Sequence, residues 1–61
     1  MKLKIEITMD NAAFEPCNGS EVARLLEKIA ARWRDENLGA GETIRLLDLN
    51  GNRVGEAKVT R

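Results

Sequence analysis

Between Ser20 and Asn37 the apolar residues Val22, Leu25, Leu26, Ile29 and Trp33 recur at helical spacing. At about 100° per residue they fall in a sector about 100° wide, the width of a core-facing stripe. Ala23 and Ala30 flank it, and Glu21, Arg24, Glu27, Lys28, Arg32, Arg34 and Asp35 occupy the rest of the wheel. Ala, Leu, Glu, Lys and Arg dominate the segment, and all are good helix formers. The stretch therefore predicts one amphipathic helix over 20–37. Ser20 is placed to cap its first amides, and Glu21 sits at the positive end of the helix dipole. Gly39 suits the left-handed residue that closes a helix. Asp35 and Glu36 lie at the unfavourable end of the dipole, so the last turn is expected to fray.

A helix with one greasy stripe must bury it, and the remaining segments read as strands. Lys2 to Met9 alternates strictly: Leu3, Ile5, Ile7 and Met9 face one way, Lys2, Lys4, Glu6 and Thr8 the other. That is a half-buried strand, with its apolar side expected against the helix. Asp10 to Gly19 is a connection punctuated by Pro16, with room for a single helical turn at 11–14. Phe14, the one Phe, is expected to plug one end of the core.

Thr43 to Thr60 reads as a hairpin around Asn50-Gly51. A two-residue turn pairs Leu49 with Asn52, Leu47 with Val54, Leu46 with Gly55, Arg45 with Glu56 and Ile44 with Ala57. A three-residue turn, with Asp48 leading and Gly51 left-handed, would set Ile44 against Glu56, so the first register is preferred. It turns Ile44, Leu46, Ala57 and Val59 toward the helix and Leu47 and Val54 away from it. A bulge between Leu46 and Leu47 is the alternative explanation of that shift in apolar phase. Gly55 is expected to let the helix backbone approach the sheet.

The chain at 1–61 is then a single α+β domain of β-α-β-β order. Its three-stranded, mainly antiparallel sheet carries the one amphipathic helix on one face. Pairing the first strand with the last gives order 1-3-2; pairing it with the middle strand needs a parallel, right-handed crossover. The antiparallel order is preferred.

Charge and cysteine content narrow the function classes. Ten basic and ten acidic residues cancel, which argues against wholesale electrostatic binding to nucleic acid or membrane and places no barrier to self-association. A lone cysteine, Cys17, and no signal peptide point to a reducing cytoplasm. No apolar run approaches the roughly 20 residues of a membrane span.

Catalytic signatures are lacking. There is no His, so Cys17 has no imidazole to activate it and reads as a structural or incidental thiol. Asp48, Asn50 and Asn52 have the spacing of a calcium-loop start, but the loop glycine and closing Glu are missing from their places, and a turn is the better reading. No glycine-rich phosphate loop is present. The expectation is a non-enzyme with no cofactor and no metal site.

Two surfaces remain. Leu47 and Val54, with Leu49 and an unpaired strand edge, form a candidate partner surface for another protein or a second copy. Lys2, Lys4, Arg45 and Lys58 on the open sheet face, with the Arg24, Lys28 and Arg32 line along the helix, are candidate phosphate contacts. No aromatic residue is available there for base stacking, so that reading is weak, non-sequence-specific nucleic-acid binding. The leading expectation is a small protein-protein interaction module, a homodimer among its forms.

DNAAF at 10–14, SEVARLLEKIA at 20–30 and DLNGNRVG at 48–55 together resemble a group of small bacterial and phage-associated proteins with similar DNAAF, ELARIL and D-x-NGN-x-VG blocks. The resemblance implies a phage or mobile-element accessory role in the cytoplasm. It carries over no catalytic residue, and Asp10, Asn11, Phe14, Asn50, Gly51 and Gly55 within it each have the structural roles above.

Overall fold

A computed structural model describes residues 1–61. The chain forms strand β1 (Lys2–Ile7), a 3-10 turn (Ala12–Phe14), helix α1 (Asn18–Asp35), strand β2 (Thr43–Leu47) and strand β3 (Arg53–Thr60). The sheet order is β1-β3-β2, both pairings antiparallel. This is the α+β architecture and strand order that the alternation and the Asn-Gly hairpin predict. No helix is long and apolar enough to cross a membrane.

Helix α1 begins two residues before the expected start. Cys17, not Ser20, occupies the N-cap, and its side chain makes no capping bond. At the other end Gly39 does not adopt the left-handed conformation; Gly41 and Gly51 do, at φ of 93° and 84°. Glu36 is the C-cap in extended conformation, and its N–H bonds to Arg32 O. The helix thus stops two residues short of the expected end, and the Glu36 carboxylate meets Arg32 Nε at 2.5 Å as an exposed i, i+4 pair.

The core gathers Leu25 and Ile29 of α1, Ile44 and Leu46 of β2, and Val54, Ala57 and Val59 of β3, closed by Phe14 and Leu38. Phe14 thus seals one end, as its place after the first strand predicts. Trp33, Val22, Ile7 and Ala13 pack against the rim.

The first strand departs from expectation. Leu3 and Ile5 lie opposite Val59 and Ala57, hence on the helix-facing side, yet they are 47% and 40% exposed. Only Ile7 joins the core's edge. The reason is width. A helix about 10 Å across spans about two strands spaced about 4.8 Å apart, and α1 lies over β2 and β3.

The hairpin reconciles readings that the sequence set against each other. The outer pairs Ile44 with Ala57, Arg45 with Glu56 and Leu46 with Gly55 follow the preferred register. Past Leu46 the register slips, so that Leu47 faces Arg53 and Val54 is left as an extra residue on β3. The tip is the three-residue turn: Asp48 N–H bonds to Asn52 O at 2.9 Å and Gly51 N–H to Asp48 O at 3.0 Å, with Gly51 left-handed. A bulge joins this tip to the outer register, and it turns Val54 into the core rather than away from it.

Gly55 serves a contact other than the expected one. The backbone that approaches it is β1, not the helix. A Cβ at position 55 would lie 1.9 Å from the carbonyl oxygen of Glu6 and 3.0 Å from Cα of Ile7. Any side chain there must part β1 from β3. Gly55→Ala is therefore expected to destabilise the fold by about 2 kcal/mol or more, with faster amide exchange at Glu6 and Thr8. Urea unfolding with backbone exchange checks this; an unchanged midpoint would contradict the close approach.

Candidate functional site

The basic candidates divide once their partners are seen. Arg24 is bound on both arms to Glu21, through Nε to Oε1 and Nη2 to Oε2, each at 2.9 Å, and Nη2 also donates to Leu47 O at 2.9 Å. Arg32 is paired with Glu36. Lys28 alone of the helical line has no ionic partner. Lys2, Lys4, Arg45 and Lys58 are exposed on the open sheet face. There Lys4 stands directly opposite Lys58, and Glu6 directly opposite Glu56. Charges of one sign thus face each other across β1 and β3, an arrangement that opposes pairing.

The expected partner surface of Leu47, Val54 and Leu49 does not assemble. Val54 is 6% exposed because the bulge rotates it inward. Leu47 and Leu49 stay accessible, Leu49 at the hairpin tip.

At the pole formed by the hairpin tip, the start of α1 and the 3-10 turn, two carboxylates are buried. Glu21 shares the i, i+4, i+8 row of Leu25 and Ile29 and is buried with them. Its Oε2 accepts from Leu49 N–H at 3.2 Å as well as from Arg24. Asp48 accepts from Asn50 N–H at 2.8 Å and Asn52 N–H at 2.9 Å through Oδ1. Its Oδ2 accepts from Asn11 Nδ2 at 2.7 Å, and Asn11 Oδ1 accepts in turn from Ala13 N–H. No buried side-chain polar atom lacks a partner. The spacing that imitates a calcium-loop start is thus the wiring of a turn, and no group of His, Cys, Asp or Glu is placed to hold a metal ion. The cluster ties three separate segments together, and each of its four carboxylate oxygens accepts at least one hydrogen bond from within the chain.

Reading the helix as a wheel with a polar arc missed Glu21. The signal lay in its row: a charge four residues before Leu25, with Arg24 three residues on to neutralise it.

Both carboxyls are held below their ordinary range, Glu21 chiefly by the Arg24 hydrogen bond and Asp48 chiefly by Asn52 N–H, with Asn50 and Asn11 adding to it.

Away from this pole the surface is apolar where a monomer has most reason to be polar. Leu3 and Ile5 are exposed on β1 and Met9 just beyond its end, and Leu26 is 44% exposed on the helix. Arg24 reaches β2, and Leu26 lies about 160° around the helix from Arg24. The Leu26 flank therefore overhangs the β1 side of the sheet. Leu3 and Ile5 lie uncovered on the helix side of β1, in line with Ile7 at the core's edge.

A carboxyl whose folded pKa is lowered contributes stability in full above its unfolded value and loses it as pH falls through the folded one. Stability is expected to decline as pH drops below the ordinary values of 4.5 for Glu21 and 3.8 for Asp48. Asp48→Asn and Glu21→Gln should each lower the melting temperature at neutral pH and flatten this acid limb. Thermal unfolding across the range checks it; an acid limb equally steep in both variants would contradict the buried network.

No protein-family model, curated protein or solved structure matches this chain.

Proposed function

We propose that this chain is a small, non-catalytic protein-protein interaction module whose contact surface is the strip between β1 and α1. The exposure of Leu3, Ile5, Met9 and Leu26 carries this reading. In so short a chain these are large apolar side chains that the core could have used, and apolar surface left contiguous marks an interaction site. The surface is displaced from the expected Leu47, Val54 and Leu49 patch, while the class of function stays the same. The absence of His and the closed polar cluster support a non-enzyme. The resemblance of the DNAAF and DLNGNRVG blocks supports a phage or mobile-element setting in the cytoplasm.

A photoreactive benzophenone side chain introduced at Leu3 or Leu26 in cells tests the surface. Discrete protein adducts are expected from both positions and not from Lys58 on the open face. An adduct of twice the 6.8 kDa chain identifies a second copy, and any other mass a different protein. A folded protein that gives no adduct from either position overturns the reading.

A second reading, weak nucleic-acid binding without sequence preference, draws on the adjacent Lys4 and Lys58 with Lys2 nearby. Titration with single- and double-stranded DNA checks it. Affinity that falls steeply with salt, and weakens in Lys4→Glu, supports phosphate contact; no binding at low salt removes it.

A further inference from the structure

We infer that the occupant of the β1 strip is a second copy of this chain, joined edge to edge through β1 so that Ile5 lies opposite Ile5 across a two-fold axis. The inference rests on the interaction-module reading and adds the partner, the edge and the register.

The edge follows from the hydrogen bonds. Thr8 N–H bonds to Val54 O. In an antiparallel ladder the residues that bond one neighbour alternate with those that face away. The even residues of β1 therefore bond β3, and Leu3, Ile5 and Ile7 present their N–H and C=O groups to the open edge. The other edge of the sheet is partly closed, because Leu47 O already accepts from Arg24. On β1 no side chain bonds the edge, and there is no Pro and no bulge; its charges, Lys2, Lys4 and Glu6, all lie on the open face, and the side chains on its helix face are apolar.

The register follows from charge. A two-fold axis requires antiparallel pairing of identical strands. The outward-facing odd residues must then meet odd residues. Centring on Lys4 sets Lys4 against its own copy, and centring on Glu6 does the same with Glu6. Centring on Leu3 sets Lys2 against Lys4. Centring on Ile5 sets Lys4 against Glu6 of the second copy, twice. It also pairs Leu3 with Ile7 and Ile5 with Ile5 through bonded pairs on the helix side. Centring on Lys4 also sets Lys2 against Glu6 in both halves, but with Lys4 against Lys4 on the axis; among the central registers only the Ile5 one opposes unlike charges without setting a like pair together.

This register also answers the like-charge pairs within one chain. Lys4 faces Lys58 and Glu6 faces Glu56. Edge pairing extends those rows to Lys58, Lys4, Glu6 and Glu56, the last two from the second copy, so Lys4 and Glu6 each gain a neighbour of opposite sign; Glu56 already has Arg45 opposite it on β2 and Arg53 paired with it. The six-stranded sheet has both helices on one face. Leu3 and Ile5 of both copies form the floor between them, with the Leu26 flanks as walls.

Charge exchange tests the register directly. Sedimentation equilibrium over a concentration series should show wild-type dimers, with the Ile5 amide protected from exchange only at dimer concentrations. Lys4→Glu and Glu6→Lys each place like charges together across the two-fold and should weaken self-association at least about tenfold. Both remain folded, since each relieves a like-charge pair with β3. An equimolar mixture should form dimers with one of each chain, and the double variant Lys4→Glu/Glu6→Lys should dimerise again. A wild type that stays monomeric at millimolar concentration overturns the inference, as do single variants that associate like wild type. If Leu3 and Leu26 then give adducts only with another protein, the second copy is excluded while the interaction surface stands; if neither position gives any, both fall.

Discussion

One helix is not wide enough for three strands, and the rest of the structure follows from that mismatch. An antiparallel sheet can leave one face to water, but here the face that needs cover is itself wider than its cover. The helix must choose two strands. It sits over the β2–β3 hairpin, whose Ile44, Leu46, Ala57, Val59 and Val54 all reach the core. The N-terminal strand is held by backbone pairing to β3 and by Ile7, and its remaining apolar residues are left over.

The choice is enforced at one pole. Glu21 and Arg24 reach from the first turns of the helix to the backbone of Leu47 and Leu49, and Asp48 binds the hairpin tip to Asn11 before the 3-10 turn. A buried carboxylate is costly unless every lone pair is met. These two are met by donors from separate parts of the chain, so they form only when helix, hairpin and connection are all in place. That makes the cluster a device for register and orientation more than a source of net stability. Its bonds run to the β2 side, which rolls the helix toward β2 and away from β1.

What could be read from the residues alone was whatever depended on local spacing. The period of Leu25, Ile29 and Trp33, the alternation of β1 and the Asn-Gly turn led to the correct elements and order and to the centre of the core at Leu25, Ile29, Ile44, Leu46, Ala57 and Val59; Leu26, expected in the same stripe, is exposed. What could not be read depended on competition between parts. The alternation of Leu3, Ile5 and Ile7 states which side of β1 is apolar; it does not state whether the helix will be there. Val54 was assigned outward because a period of two was carried unbroken through a bulge, although the out-of-phase Leu47 already hinted at the break. The charge of Glu21 points to solvent, while its place in the Leu25 and Ile29 row points to the core, and the row prevails. Gly55 was matched to the wrong neighbour, since a missing Cβ announces a close approach without saying whose.

The leftover strand bears on why a nearly neutral chain would keep Lys4 against Lys58 and Glu6 against Glu56. Exchanging Lys4 and Glu6 would have set unlike charges across β1 and β3 with no change in composition, apolar pattern or net charge. Within one chain the order leaves unlike charges only on the longer diagonals, Lys4 to Glu56 and Glu6 to Lys58, and sets like charges directly opposite. The order is coherent only if the outer face of β1 is judged from both its sides, inner and outer. Read from the outer side, Lys-x-Glu about Ile5 is self-complementary under a two-fold rotation, and each neighbouring register sets at least one like-charge pair together. An edge that must pair with one partner in one register needs both properties, because an apolar strand without them would slip or aggregate.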